Sequence, residues 1–365
     1  MDNLRHLYEE FGQSPWLDNL KRGWITGGDL ERMVASGIRG ITSNPSIFQK
    51  AMEGSDAYDE ELRSLHSGGA SILDSYWTLV STDIENALAI MRPVYDQSGG
   101  EDGYVSVEVD PSLAHDAAGT QAAARNLHLR ISEPNLYVKI PGTAAALPAI
   151  RTMIGEGRSI NVTLLFSVER YGDIVEAYIG GLEECGCADL SAVSSVASFF
   201  VSRVDTEVDR RLEAIGSPEA LALRGTTAIA QARSAYAMWS ERFSGPRWDR
   251  LAARGARPQR LLWASTSTKN PDFPDTLYVD ELIGPNTVNT LPDSTLEAFA
   301  DHGTLARTLD RDPAAAQATL ENVGQVGVDL HDVANQLETE GLAGFSKAFN
   351  ELTESLAVKA AALTA

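Results

Sequence analysis

Cysteine and histidine are scarce in this sequence of 365 residues, which limits the disulfide and metal chemistry open to it. The two cysteines, Cys185 and Cys187, stand one residue apart, a spacing poorly suited to an unstrained disulfide, and they are too few for a zinc ligand set. We expect both to be reduced and structural. The six histidines form no ligand pair at helical spacing, so we expect no bound metal.

Basic residues are also too few to balance the acidic ones. The chain has 30 Lys and Arg against 51 Asp and Glu, and its formal net charge is -21. Nucleic acid and anionic membranes attract a basic surface, so we expect neither as a partner, although local cations could still attract an anionic metabolite. No apolar run reaches membrane-spanning length, and residues 1–12 carry charges in place of the apolar core of a secretion signal. We therefore expect a cytoplasmic protein.

Lysine is the rarer basic residue, with six copies, and one of them lies inside a segment that favours a β-strand. The segment NLYVKIPGT covers residues 135–143, and its period-2 alternation puts Lys139 on the face opposite Val138 and Ile140. Partial burial or a neighbouring cation can turn a lysine amine into a nucleophile near neutral pH, which arginine cannot become. Schiff-base formation is one interpretation of Lys139, and a strand-end lysine that reaches solvent is the other.

Segments typical of strands and helices alternate along the chain. Strands are predicted at residues 14–18, 37–44, 104–110, 135–143, 159–166, 193–200, 260–266 and 287–291. Helices are predicted at residues 2–11, 29–35, 56–66, 71–97, 111–129, 168–184, 218–243, 248–254, 312–320 and 328–363, with a further helix starting at Pro45. This alternation implies a parallel sheet covered by helices, and about eight units favour a closed barrel over two open sheets. We predict an α/β fold, a (β/α)8 TIM barrel forming a single domain over residues 1–365, with outer helices at about 2–11 and 328–363.

Polar residues lie in or at the ends of the predicted strands, where the active sites of such barrels are found. They are Asp18, Asn44, Glu108, Lys139, Asn161, Thr163 and Ser198. Each alone could be a helix cap, a turn residue or part of an interior polar layer. A Schiff-base mechanism needs a lysine, an acid or base for dehydration, and a second group that moves a substrate hydroxyl proton. Lys139, Glu108 and Asp18 could fill these roles.

Five segments, in this order and spacing, resemble the transaldolase family. They are GITSNPSI at residues 40–47, VKI at 138–140, NVTLLFS at 161–167, SFFVSRVD at 198–205 and WAST at 263–266. The resemblance spans Ser14 to at least Asn289. It implies a (β/α)8 barrel with the Schiff-base lysine on the fourth strand, no cofactor, sugar phosphates as partners, and a cytoplasmic place in the non-oxidative pentose phosphate pathway.

The resemblance also implies catalytic roles for four residues. Lys139 would form the imine, and Asp18 would remove the proton of the C4 hydroxyl. Glu108 and Thr163 would transfer protons through a water molecule. Thr163 could instead be a β-branched strand residue that only packs.

Five further residues are implied to bind the substrate. Asn44 and Asn161 would hold its hydroxyls, although Asn44 could simply cap a helix. Ser198 and Arg203 would form part of the phosphate site, with Lys269 as its second cation. Arg203 could alternatively pair with the nearby Asp205. Many relatives carry arginine at the Lys269 position. Lys269 keeps the positive charge but cannot form the two parallel hydrogen bonds that a guanidinium makes to a phosphate.

The implied reaction transfers a dihydroxyacetone unit from sedoheptulose 7-phosphate or fructose 6-phosphate to glyceraldehyde 3-phosphate or erythrose 4-phosphate. The alternatives are a related fructose 6-phosphate aldolase, which releases free dihydroxyacetone, and a non-catalytic barrel that binds sugar phosphates. Such aldolases carry tyrosine at the position of Phe200 and lack the carboxylate at Glu108, so both residues favour the transferase. The sequence leaves the oligomeric state open, with a homo-oligomer as one option.

Overall fold

Eight parallel strands form a closed barrel in chain order, and the last strand pairs with the first. The computed structural model describes residues 2–364. The strands span Gln13–Leu17 (β1), Gly40–Ile41 (β2), Tyr104–Glu108 (β3), Leu136–Pro141 (β4), Ile160–Leu165 (β5), Ser195–Phe200 (β6), Arg260–Ala264 (β7) and Thr287–Leu291 (β8). The predicted (β/α)8 barrel is therefore confirmed.

The helices follow the strands and pack outside them. They span Asp2–Glu9 (α1), Arg22–Thr26 (α2), Asp29–Ala35 (α3), Pro45–Met52 (α4), Asp59–Ser67 (α5), Ile72–Gln97 (α6), Ala117–Arg130 (α7), Leu147–Gly155 (α8), Val168–Glu184 (α9), Ser202–Ile215 (α10), Pro218–Leu221 (α11), Thr227–Arg242 (α12), Gly245–Ala252 (α13), Leu277–Asp280 (α14), Asp293–His302 (α15), Pro313–Gln325 (α16) and Leu330–Thr364 (α17). Two short 3-10 turns lie at Pro111–Leu113 and Ala144–Ala146.

The register of the central strands brings chemically important residues side by side. Glu108 on β3 pairs in register with Lys139 on β4, which in turn pairs with Asn161 on β5. Because register partners on parallel strands point to the same face of the sheet, these three side chains share one face. Every residue of β3, β4 and β5 is buried, as expected for a parallel sheet that is covered on both sides.

Three predicted elements are wrong in extent. The strand predicted at residues 37–44 is reduced to β2, since Gly37 donates its N–H to Val34 in the turn after α3 and Asn44 caps α4. The helix predicted at 111–129 is a 3-10 turn followed by α7, whose start is capped by Asp116. The helix predicted at 218–243 is divided into α11 and α12 around Gly225, which has a φ of +71°.

Helices α2, α8, α10, α14 and α15 were not predicted. The outer helices predicted at about 2–11 and 328–363 appear as α1 and α17. No helix within residues 2–364 is both long enough and apolar enough to cross a membrane. Both cysteines are free thiols, as predicted, but Cys187 is exposed, so only the buried Cys185 contributes to core packing. The assignment of the whole chain to one domain stays a prediction.

Candidate active site

A cavity of about 700 Å³ opens at the carboxyl ends of the strands. Seven of the nine predicted site residues line it: Asp18, Asn44, Lys139, Thr163, Ser198, Arg203 and Lys269. The other two, Glu108 and Asn161, are buried in the barrel and contact lining residues. The structure therefore brings all nine predicted residues together.

Lys139 and Glu108 form a buried ion pair beside this cavity. The Nζ of Lys139 lies 3.2 Å from Oε2 of Glu108 and donates to the backbone carbonyl of Ser43 at 3.4 Å. Burial raises the pKa of Glu108 above its ordinary value, although the neighbouring Lys139 opposes this rise. Within residues 2–364, Oε1 of Glu108 has no hydrogen-bond partner. A carboxyl group in this state can accept or supply a proton nearer to neutral pH.

Asp18, which directly follows β1, is the second carboxylate of the site. Burial raises its pKa, and a hydrogen bond from Thr42 together with the charges of Lys139 and Arg203 offsets part of this rise. The hydroxyl of Thr42 donates to Oδ1 of Asp18 at 2.7 Å and lies 2.6 Å from the hydroxyl of Thr290. Thr42 was not predicted, although it lies within the GITSNPSI segment. It fixes the orientation of the Asp18 carboxylate.

Thr163 occupies an irregular part of β5. The register shifts between Val162 and Leu165, and Leu164 has a φ of +60°, a conformation that costs energy for a bulky residue and is typical of functional sites. In the described part of the chain, the buried hydroxyl of Thr163 has no hydrogen-bond partner. It therefore remains able to bind a water or a ligand.

Asn161 is held by its neighbours in the barrel. Its Nδ2 donates to the hydroxyl of Ser106 at 3.0 Å, and its Oδ1 accepts from the hydroxyl of Ser198 at 2.7 Å. Ser198 thus bonds to Asn161, and its role in phosphate binding stays a prediction. Asn44 caps α4 through a hydrogen bond from the Ile47 N–H to its Oδ1 at 3.0 Å, which leaves its Nδ2 for a ligand.

Cations gather at the cavity although the chain as a whole is strongly acidic. Four of the six lysines line it, namely Lys21, Lys50, Lys139 and Lys269, together with Arg203. Burial, Arg203 and Lys50 lower the pKa of Lys269, in this order of importance. Its Nζ donates to the hydroxyl of Ser267 at 2.6 Å. Such a local group of cations attracts an anionic ligand such as a phosphate.

Arg203 lies at the start of α10, with its guanidinium 5.2 Å from the ring centroid of Phe200. Burial lowers the pKa of Arg203. Asp205, which the sequence offered as an ion-pair partner, instead accepts hydrogen bonds from the Ala228 N–H at 2.7 Å and the Tyr278 hydroxyl at 2.9 Å. These contacts leave the guanidinium of Arg203 for the cavity that it lines.

Aromatic rings form the apolar part of the site. Phe200 lines the cavity, with its ring centroid 5.2 Å from that of Phe166. Phe345, on the C-terminal helix α17, also lines the cavity, and its ring centroid lies 5.6 Å from Nζ of Lys139. Phe345 was not predicted because no motif surrounds it.

The site combines a buried amine, two carboxyl groups with raised pKa values, and cations suited to a phosphate. An amine of this kind can add to a carbonyl, and the carboxyl groups can move the protons that imine formation requires. In residues 2–364, the His, Cys, Asp and Glu side chains form no group of three or more that could hold a metal ion. The geometry thus fits carbonyl chemistry on a phosphorylated substrate.

Comparison with known proteins identifies the family. The chain is 50% identical over 357 residues to a protein of Thermobifida fusca (strain YX) named transaldolase, and the match covers 97% of each chain. It is 49% identical to the transaldolase of Parafrankia sp. (strain EAN1pec), over 94% of this chain and 95% of that one. It is also 49% identical to the transaldolase of Mycolicibacterium smegmatis, over 94% of each chain. The family model described as transaldolase/fructose-6-phosphate aldolase matches residues 15–356, and the chain belongs to this family.

Proposed function

We propose that this protein is a transaldolase. It transfers a dihydroxyacetone unit from sedoheptulose 7-phosphate or fructose 6-phosphate to glyceraldehyde 3-phosphate or erythrose 4-phosphate, through a Schiff base on Lys139. The observation that carries the proposal is the buried amine of Lys139, 3.2 Å from Glu108, in a cavity that also contains Asp18 and several cations. Family membership and the name shared by the relatives support it.

Imine formation begins when Arg203 and Lys269 bind the phosphate and the ketone carbon of the substrate meets Nζ of Lys139. Lys139 first passes a proton to Glu108, 3.2 Å away. The neutral amine then adds to the ketone carbon and gives a carbinolamine, whose hydroxyl must leave as water. Glu108 supplies the proton for this step through a water that it shares with Thr163. The unpaired Oε1 of Glu108 and the unpaired hydroxyl of Thr163, both within the described chain, support this assignment.

Carbon–carbon cleavage follows when Asp18 removes the proton of the C4 hydroxyl. The C3–C4 bond breaks, its electron pair moves into the iminium, and the aldose phosphate leaves while an enamine stays on Lys139. The raised pKa of Asp18 makes its carboxylate a stronger base, and Thr42 orients it. Asn44 and Asn161 hold the substrate hydroxyls in this scheme.

The reaction ends by the same steps in reverse with a second aldose phosphate. The enamine carbon attacks the acceptor aldehyde, Asp18 returns its proton to the new hydroxyl, and water hydrolyses the imine. The substrates are therefore sugar phosphates. That nucleic acid and membranes are not partners stays a prediction. A cytoplasmic location and a homo-oligomer stay predictions.

Borohydride reduction in the presence of fructose 6-phosphate tests the proposal. Reduction should fix the three-carbon fragment on Lys139 as a stable secondary amine, which peptide mapping by mass spectrometry locates. Lys347, which is exposed and pairs with Glu351, serves as an internal control and should stay unlabelled. A label on another lysine, or no label, would exclude both the transaldolase mechanism and the aldolase alternative.

Phe200 and Glu108 distinguish the transferase from a fructose 6-phosphate aldolase, which is the second candidate because the family includes both activities. The apolar ring of Phe200 offers no hydroxyl to position water, so the enamine should persist until an acceptor arrives. Without an acceptor, fructose 6-phosphate should yield little free dihydroxyacetone, and Phe200→Tyr should increase this release by about tenfold. If the unmodified protein releases dihydroxyacetone as fast as it transfers this unit to erythrose 4-phosphate, the protein is an aldolase and the transaldolase proposal is wrong.

A further inference from the structure

The C-terminal helix α17 crosses the mouth of the barrel and is fixed at both of its ends. Near its start, Arg211 of α10 forms an ion pair with Asp332 at 2.7 Å and a hydrogen bond with Gln336 at 2.7 Å. Near its end, Lys359 pairs with Asp59 of α5 at 2.6 Å. These contacts hold the middle of the helix in place above the carboxyl ends of the strands.

Gly341 lets the middle of α17 come close to the barrel. A Cβ atom added at this position would lie 3.0 Å from Cδ2 of Leu164 and 3.7 Å from Nη1 of Arg203. Arg203 lines the cavity, and Leu164 directly follows Thr163, which also lines it. The close approach therefore places the next turn of the helix over the catalytic residues.

Phe345 occupies that next turn, four residues after Gly341, and faces the cavity. Its ring centroid lies 5.6 Å from Nζ of Lys139, and its side chain is buried. Phe349, one turn further on, contacts Tyr76 and Trp77 at ring-centroid distances of 5.1 and 6.4 Å and does not line the cavity. The two phenylalanines belong to one helix and are similarly buried, but only one of them faces the reacting amine.

We propose that Phe345 is a specificity-determining residue that keeps water away from the enamine on Lys139 and thereby favours transfer over release. The proposal rests on the function proposed above. Release and transfer differ at the enamine, which takes a proton in release and attacks an acceptor aldehyde in transfer. In release, the proton adds to the enamine carbon and gives the iminium of dihydroxyacetone. Water then adds to the iminium carbon, the carbon–nitrogen bond breaks, and dihydroxyacetone leaves while Lys139 regains its amine.

An aromatic ring at this position opposes the protonation of the enamine. It has no polar atom to orient a water or to relay a proton, and it fills space from which a water could approach the enamine. Excluding water from a reactive intermediate prevents proton leakage to it. Phe345 thus extends the apolar surface that Phe200 and Phe166 form on the strands, but from a helix far along the chain.

The test measures how fructose 6-phosphate is divided between release and transfer. Free dihydroxyacetone is measured without an acceptor, and sedoheptulose 7-phosphate is measured with erythrose 4-phosphate, in the same preparation. Because both rates scale with the amount of folded protein, their ratio does not depend on the folded fraction. Phe345→Ala should raise the ratio of release to transfer by about tenfold or more. Phe345→Leu, which keeps an apolar side chain, should change it by less than about threefold.

Phe349→Ala and Phe349→Leu are the matched controls. They remove the same atoms from the same helix, so they should lower the melting temperature about as much as the Phe345 variants, yet leave the ratio unchanged. A ratio in Phe345→Ala equal to that of the unmodified protein would overturn the inference. An equal rise in Phe349→Ala would also overturn it, because the cause would be a loosened helix. Absence of the borohydride label on Lys139 in the unmodified protein would instead overturn the proposed function, and this inference with it.

Discussion

The two ends of the barrel bury charged groups in opposite ways. At the amino-terminal end, Asp102 accepts hydrogen bonds from Arg39 at 2.7 Å, Arg260 at 2.9 Å, Ser14 at 2.7 Å and Trp16 at 3.2 Å. Burial alone would raise the pKa of Asp102, but Arg260 and Arg39 outweigh it and hold the pKa below its ordinary value. This carboxylate is fully buried and fully supplied with donors.

At the carboxyl end, the carboxylates have fewer partners. Glu108 has one ammonium group beside it and Asp18 one hydroxyl donor, and the pKa values of both are raised by burial. A group supplied with many donors keeps its charge and fixes the structure, whereas a group with few donors can exchange protons. The comparison indicates that one end of the barrel serves stability and the other serves chemistry.

The largest expected effect is at the reactive end. Lys139→Arg should fold but lose activity by roughly 10⁴-fold or more, since a guanidinium keeps its charge and cannot add to a ketone. Transfer from fructose 6-phosphate to erythrose 4-phosphate measures this loss, and a thermal melt checks the fold. Lys347→Arg, at an exposed position outside the cavity, is the matched control and should keep full activity. Substantial transfer by Lys139→Arg would show that the chemistry at the carboxyl end of the barrel does not depend on the amine of Lys139.

Asp102→Asn should lower the stability of the protein and leave its activity unchanged, the opposite of Lys139→Arg. Removing this charge leaves the partly buried Arg39 and Arg260 without their shared partner, which should lower the free energy of unfolding by up to about 3–5 kcal/mol. The activity per folded molecule should be unchanged, because Asp102 lies at the other end of the barrel. Denaturant unfolding gives the stability, and Asp96→Asn, which removes an exposed partner of Arg92, should cost less than about 1 kcal/mol. Equal costs for the two variants would contradict the structural role of Asp102.

Arg203→Ala tests whether the cations at the reactive end bind phosphate. A charge-assisted hydrogen bond contributes about 1.5–3 kcal/mol, so the KM for phosphorylated donors should rise by about tenfold or more. The KM for unphosphorylated dihydroxyacetone should change little. Arg210→Ala on the same helix, which removes an exposed partner of Glu207, is the control. Equal losses with both kinds of substrate would make Arg203 a structural residue.

Asp205 is a fourth buried carboxylate, and its hydrogen bonds come from Ala228 and Tyr278, neither of which is a cation. Burial is the main reason that its pKa is raised to about 7. Since the folded state then binds the proton more tightly than the unfolded state does, the stability falls as the pH rises toward and through this value. Between about pH 6 and about pH 8 the loss should be about 1 kcal/mol. Asp205→Asn, which does not titrate, should show a flatter melting temperature over this range, and an unchanged slope would contradict the assignment.

The barrel and seven of the nine candidate site residues could be predicted from local patterns, whereas Arg203 and Lys269 were expected only from the resemblance to the transaldolase family. Strand alternation indicated the sheet, and polar residues at strand ends indicated the site. Helix α10 was missed although Val204, Val208 and Leu212 form its buried stripe, because charged residues that are also buried interrupt the apolar period. Phe345 could not be predicted, since its position over Lys139 depends on the path of α17, and no local pattern specifies that path.

The distribution of lysine has a practical consequence. Lys21, Lys50, Lys139 and Lys269 line the cavity, and of the remaining two lysines, Lys359 is engaged with Asp59. The other, Lys347, is exposed outside the cavity. Reagents that acylate amines will therefore react both at Lys347 and at the mouth of the barrel. Coupling to a solid support through amines will turn the mouth toward the support in part of the molecules. Coupling through the 51 acidic side chains, most of which lie away from the cavity, will leave the entrance open to substrate.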